Sequence, residues 1–212
     1  MRHVIWDWNG TLADDLPTVV RCVNLSLAAI GENPIVADDY RDHYTRPVRS
    51  FYDSLLSRSV TDSEWATIDE VFHVEYAQAA AQVPLALDAR SAIDLVAARG
   101  GTQSILSMWW HDDLSNEVDR HGLAELMLRV DGNTKDAGET KERLLDIHLR
   151  AIGGNGAVMI GDAVDDALAA QRIGIDCIVY DGGSHHRDEL EKLGAPIAGS
   201  LVEAAEMALA QS

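Results

Sequence analysis

The chain has 212 residues, 47% of them hydrophobic and 25% charged. That is enough apolar material for a packed core, and it excludes a disordered or fibrous chain. With 35 acidic and 17 basic side chains the net charge is -18, a field that repels nucleic acid and anionic membrane, so any phosphate-binding site must be built locally.

His3-Val4-Ile5-Trp6 is a short apolar run that stops at Asp7, and Asn9-Gly10-Thr11 then forces a turn. Residues 14–84 read as mostly helical. Apolar residues recur at helical spacing from Thr18 to Ile30 before a capping Gly31, and again over Val48–Leu56 and Ser63–Gln82. Pro84 closes this block. An alternation follows: helix Ala89–Arg99, strand Ser104–Leu106, helix Asp112–His121, strand Leu126–Val130, helix Gly138–Ile152, strand Ala157–Ile160, helix Asp165–Ile173, strand Cys177–Tyr180. Short apolar strands alternating with helices predict an α/β fold with a doubly wound parallel sheet. The expected organisation is a core of residues 1–13 and 85–212, with 14–84 as a small helical cap inserted after the first strand. Ligands of such sheets bind at the carboxyl ends of the strands.

No run of about 18 apolar residues is present, and no basic and apolar leader precedes the first strand. Cys22 and Cys177 form no disulfide framework or metal spacing and read as small core residues in a reducing compartment. The expectation is a cytoplasmic protein, monomeric or homodimeric, with no membrane or nucleic-acid partner.

Four stretches carry chemistry. They are Asp7-Trp8-Asn9-Gly10-Thr11 after the first strand, Ser107 after the second, Lys141 in the first turn of a helix, and Gly161-Asp162-Ala163-Val164-Asp165-Asp166 after strand Ala157–Ile160. In this order they resemble the haloacid dehalogenase superfamily, whose pattern runs Asp-x-Asp-Gly-Thr, then Ser or Thr, then Lys, then Gly-Asp-x-x-x-Asp. The resemblance covers nearly the whole chain, including the position of the cap. It implies a phosphoric monoester hydrolase of the phosphoglycolate-phosphatase-like kind, acting on a small phosphorylated metabolite. Asp7 would be the nucleophile forming an aspartyl-phosphate. Asp7, the backbone carbonyl of Asn9, Asp162 and Asp166 would hold Mg2+. Ser107, Lys141 and Trp8 would bind the phosphoryl group.

Each residue also has a plainer reading. An Asp after a strand is often a turn or cap residue, but the downstream Gly161-Asp162 and Asp166 favour a site. Ser107 could be a turn residue; Ser104 competes with it from inside the strand. Lys141 occupies a helix start, where the dipole disfavours a cation and a nearby anion is expected; its competitor is Lys135. Asp165 points elsewhere on its helix and reads as surface. His185 and His186 read as a solvated loop. Arg46 suits an anionic substrate, but also an ordinary surface. Trp8, Trp109 and Trp110 fit either the mouth of a site or a packed core.

The sequence departs from the family at Asn9, where phosphatases of this kind carry an acid/base Asp. An amide cannot exchange a proton near neutral pH. Three readings stay open: a phosphatase restricted to acidic leaving groups, one with a substitute acid in His43 or His111, and a non-catalytic phospho-ligand binder or regulatory partner. Asn9-Gly10 is also a deamidation-prone pair.

Overall fold

The computed structural model describes residues 2–134, 140–154 and 156–210. In chain order, strand β1 (His3–Trp6) is followed by helices α1 (Leu16–Ala29), α2 (Ala37–His43), α3 (Val48–Leu55) and α4 (Asp62–Ala80). Then come α5 (Ala89–Ala98), β2 (Thr102–Trp110), α6 (His111–Arg120), a 3-10 turn at Ala124–Leu126, β3 (Val130–Asn133) and α7 (Lys141–Ile152). The chain ends with β4 (Ala157–Gly161), α8 (Val164–Ile173), β5 (Asp176–Tyr180), α9 (Arg187–Glu191), β6 (Ile197–Ala198) and α10 (Leu201–Ala210). The six strands form one sheet in the order β3-β2-β1-β4-β5-β6, with every pair parallel. This is the doubly wound α/β sheet that the alternation predicts.

The chain divides into two compact units. One comprises Met1–Asp14, Pro84–Gly183 and Arg187–Ser212, and the other Asp15–Val83 with Ser184–His186. The first contains the sheet. Strand alternation sends Gln103 and Ser104 to opposite faces. The Gln103 amide accepts the Trp6 indole N–H at 3.0 Å and donates to the Ile93 carbonyl of α5 at 3.1 Å. Ser104 instead meets α7. On the α7 side, Ile5, Leu106 and Met159 pack with Leu144, Leu145, Leu149, Ala169 and Ala170. β1 sits between β2 and β4 and is buried throughout, which explains its unbroken apolar run.

The second unit is helical. Leu16, Val23 and Leu27 of α1 bury against Tyr40, Phe51, Tyr52, Val60 and Ile68. α4 begins with a capping box: Thr61 Oγ1 accepts the Glu64 N–H at 3.3 Å, and Glu64 Oε2 accepts the Thr61 N–H at 2.8 Å. The buried Asp15 carboxylate accepts the Tyr76 hydroxyl at 2.7 Å, joining the start of α1 to α4.

Two strand expectations need correction. β2 does not stop at Leu106; it runs through Ser107 to Trp110, because the apolar residues 108–110 continue the strand to a pairing with Asn133. The third strand is Val130–Asn133 rather than Leu126–Val130. Leu126 ends the 3-10 turn, and the extended Met127 leads to Leu128, whose N–H donates to the Gln103 carbonyl of β2 at 2.7 Å just before the strand begins. The strand itself is mostly polar, and Gly132 lies against the backbone of Trp109 and His111, where a side chain would collide. No helix among the described residues is long and apolar enough to cross a membrane.

Candidate active site

β1 and β4 end side by side, with the Asp7 N–H donating to the Ile160 carbonyl at 2.8 Å. That register sets the first and fourth motifs next to each other. Oxygens of Asp7, Asp162 and Asp166 all lie within 4.8 Å of one another, and all three residues are buried. Lys141, 5% exposed, reaches the same point from the first turn of α7. Its Nζ donates to Asp7 Oδ1 at 2.5 Å and to the Leu106 carbonyl at 3.3 Å. Asp166 Oδ1 stands 2.8 Å from the same nitrogen, close enough for an ion pair but without hydrogen-bond alignment. The helix-start argument thus has its anions, while Lys135 lies outside the described residues.

The carboxylates are held by their neighbours. Thr11, fully buried, donates its hydroxyl to Asp162 Oδ1 at 2.9 Å. Asp166 Oδ2 accepts the Ala163 N–H at 3.1 Å. Gly10 has φ +73° and passes so near Asp162 that a Cβ would stand 2.5 Å from its Oδ2; only glycine meets both demands. Gly161 and Gly183 make similar room beside Asp166 and Asp162. The Asp-x-x-Gly-Thr spacing contains Gly10 and Thr11, but their service to Asp162, more than 150 residues away, leaves no sequence signal.

Three buried carboxylates against one ammonium leave excess negative charge. Burial raises the Asp7 pKa to about 6; Lys141 opposes the shift and Asp162 adds to it. Burial and then the Asp7 charge raise Asp166 to about 7. Burial works against the Lys141 ammonium, but the charges of Asp166 and Asp7 outweigh it and hold the pKa above the ordinary lysine value. Asp165 is half-buried, and its charge adds to the upward shifts of Asp7, Lys141 and Asp166. An all-oxygen, net-negative set fits a hard cation such as magnesium.

Ser107, inside β2, donates its hydroxyl to Asn9 Oδ1 at 3.2 Å and accepts the Trp109 N–H at 3.1 Å. Asn9 is half-buried on the turn. Trp8 is buried with its ring 5.9 Å from that of His121, so its side chain packs in the core, while Trp110 is largely exposed. His111 Nδ1 accepts the Gly132 N–H at 3.3 Å, which fixes the neutral ring's proton on Nε2.

In the helical unit, Arg46 is exposed and His43 meets Ser54 Oγ at 2.8 Å. His185 corrects the solvated-loop expectation. It is buried with its ring 5.3 Å from Tyr44, while His186 lies 3.2 Å from Asp42. An aromatic neighbour and an acidic one divide the pair.

A family model described as "Hydrolase: haloacid dehalogenase-like hydrolase" matches residues 1–174. A phosphoglycolate phosphatase from Synechococcus elongatus is 27% identical over 194 residues, covering 90% of this chain and 88% of that protein. Another, from Caulobacter vibrioides, is 27% identical over 205 residues, covering 92% and 84%. Among solved structures, a haloacid dehalogenase-like family hydrolase from Streptococcus pneumoniae superposes with a TM-score of 0.86 at 15% identity, covering 98% of each chain.

Proposed function

Because the chain belongs to the haloacid dehalogenase-like hydrolase family, we propose that it is a magnesium-dependent phosphatase that transfers the phosphoryl group of a small metabolite to Asp7. The observation that carries this is the buried Asp7–Lys141–Asp166 bridge beside Asp162. A carboxylate nucleophile needs a cation beside it to approach an anionic phosphoryl group, and Lys141 is such a cation.

Asp7 attacks phosphorus, forming the aspartyl-phosphate as the bond to the leaving oxygen breaks and that oxygen takes its proton from solvent; water then attacks phosphorus, the bond to Asp7 breaks, and inorganic phosphate leaves with the carboxylate restored. Lys141 and Ser107 hold the equatorial oxygens, and Trp8, on the turn after Asp7, would join them. Asp7, Asp162, Asp166 and the Asn9 carbonyl would hold Mg2+, which supplies neutralising charge to the transferring group. The resemblance alone assigns segment 14–84 the cap role, with Arg46 as a contact for the substrate's anionic part. The relatives' name, phosphoglycolate phosphatase, supports a small phosphorylated acid as the first substrate to try.

Asn9 favours a second reading, in which the chain binds phospho-ligands with little turnover. Phosphate release from a panel of phosphomonoesters and acyl phosphates, with magnesium and with chelator, separates the two. Turnover that needs magnesium is the expected result. Absence of release with magnesium still bound selects the binder.

The titration of the site gives a further expectation. Asp7 and Asp166 have raised pKa values, so between about pH 4 and 7 the folded chain holds more protons than the unfolded one, and this site's contribution to stability falls as pH rises. A bound cation reverses that penalty and must displace the protons. The gain in Tm on adding magnesium should therefore be larger at pH 7.5 than at pH 5. An equal gain at both pH values would remove these carboxylates from the metal site.

A further inference from the structure

A second buried polar group lies at the other end of α7. Thr102 Oγ1 is 2.8 Å from His3 Nδ1, and His3 Nε2 is 2.7 Å from Ser104 Oγ. Ser104 Oγ is 2.7 Å from His148 Nε2, and His148 Nδ1 is 2.7 Å from Asp131 Oδ2. Arg129 Nε donates to the same Asp131 oxygen at 2.5 Å. Burial works against the Asp131 carboxylate, but the bonds from His148 and Arg129 outweigh it and lower its pKa. The carboxylate therefore accepts from His148 Nδ1. Onward from His148 Nε2 through Ser104 and His3 to Thr102, each ring nitrogen and hydroxyl has a partner at hydrogen-bonding distance. Ser104 and His148 are fully buried, so this Asp-His-Ser line is no nucleophile open to a substrate.

Its position suggests another role. Lys141 and His148 are seven residues apart, two helical turns, and so share a face over a rise of about 10 Å. On the sheet side, His3 and Ile5 share a face of β1, and Asp7 follows directly at its end, a span of about 13 Å from His3. The helix is thus pinned to the sheet at two points, Lys141 on Asp7 and the Leu106 carbonyl, His148 on Ser104 and Asp131. Leu144, Leu145 and Leu149 fill the interval against Ile5, Leu106 and Met159. Apolar packing is non-directional and sets register loosely; hydrogen bonds to strand side chains set it tightly.

We propose that His148 is a positioning residue, which through Ser104 and Asp131 fixes the register of α7 along the sheet and so holds Lys141 Nζ between Asp7 and Asp166. The consequence for catalysis rests on the phosphatase reading; the register itself does not.

The sequence has only three lysines, Lys135, Lys141 and Lys192, so acetylation of the native, chelated protein with acetic anhydride, read by peptide mass, reports each one. In the unaltered chain Lys141 should react far more slowly than the lysine at 192. His148→Leu leaves Asp131 with Arg129 and Ser104 with His3, and should raise Lys141 labelling relative to Lys192 by about ten-fold, the scale of one or two net hydrogen bonds. His148→Asn, which keeps an N–H for Asp131, should recover part of the protection. Ser104→Ala added to His148→Leu should change labelling no further. Val96→Ala, in α5 on the other face, is the control for general destabilisation and should leave the Lys141-to-Lys192 ratio unchanged. If His148→Leu does not fold, His148→Asn and Ser104→Ala carry the test, each raising the ratio by a smaller factor. Unchanged protection of Lys141 in the folded variants overturns the proposal, as does an equal rise in Val96→Ala. A chain with no turnover on any substrate but the expected labelling would refute the phosphatase and leave this inference standing.

Discussion

Asn9→Asp should raise turnover of alkyl phosphates by about 10²–10⁴-fold, the usual worth of a positioned general acid and base. Aryl and acyl phosphates should gain little, because their leaving groups depart without a proton. The unaltered chain should accordingly show a steep dependence of rate on leaving-group pKa, and the variant a shallow one. The geometry tolerates the change. Ser107 already donates to Asn9 Oδ1, and a carboxylate oxygen accepts that bond equally well. The new carboxylate would sit on the Asp7 turn, and like charge together with partial burial would raise its pKa toward the working range, as a general acid requires. The backbone carbonyl is untouched, so magnesium affinity should change only through the added charge. The measurement is kcat on a leaving-group series, using protein whose Asn9 is verified by peptide mass, since deamidation at Asn9-Gly10 would create the variant unasked. Equal alkyl phosphate rates in both proteins would mean that another group already supplies the proton. His43 and His111 are then the side chains to replace.

The parts of this molecule that could be read from sequence are those written in one place. The apolar run of β1 ends at Asp7 because the chain emerges from a sheet buried on both sides. The Gly161–Asp166 stretch marks a second strand end with the same abruptness, and the two coincide because β1 and β4 are neighbours. Lys141 was legible for an electrostatic reason, a cation where a helix dipole disfavours one. β3 was illegible because tertiary contacts decided it. The apolar 126–128 stretch lies between a 3-10 turn and the strand, and the polar Val130–Asn133 became the strand since Gly132 admits the backbone of α6 and Asp131 meets His148. The extension of β2 past Ser107 was hidden by the assumption that a motif serine ends its strand. The line from Thr102 through His3, Ser104 and His148 to Asp131 joins four elements, and no local pattern announces it. Thr11 and Gly183 serve Asp162 from distant positions for the same reason.

Asp7→Asn should abolish turnover, a loss on the order of 10⁶-fold, the scale seen when a covalent nucleophile is removed. No phosphoryl group should be trapped on the chain at any pH, because an amide does not attack phosphorus. The same change should not weaken the fold. Asp7 is a buried carboxylate facing Asp162 and Asp166, and its raised pKa records that its charge is unfavourable there. The amide keeps an oxygen for the Lys141 ammonium, and Lys141 keeps Asp166 as its counter-ion. In chelator at pH 7.5 the variant's Tm should equal or exceed that of the unaltered chain, while the gain on adding magnesium shrinks because one anionic ligand is gone. This pairing of lost activity with retained or improved stability is expected where charge is concentrated for chemistry rather than for folding. Thermal melts with and without magnesium, beside a phosphate-release assay, check both halves. A clear fall in chelated Tm would show that Asp7 is chiefly a structural partner of Lys141, and turnover surviving in the variant would move the nucleophile elsewhere.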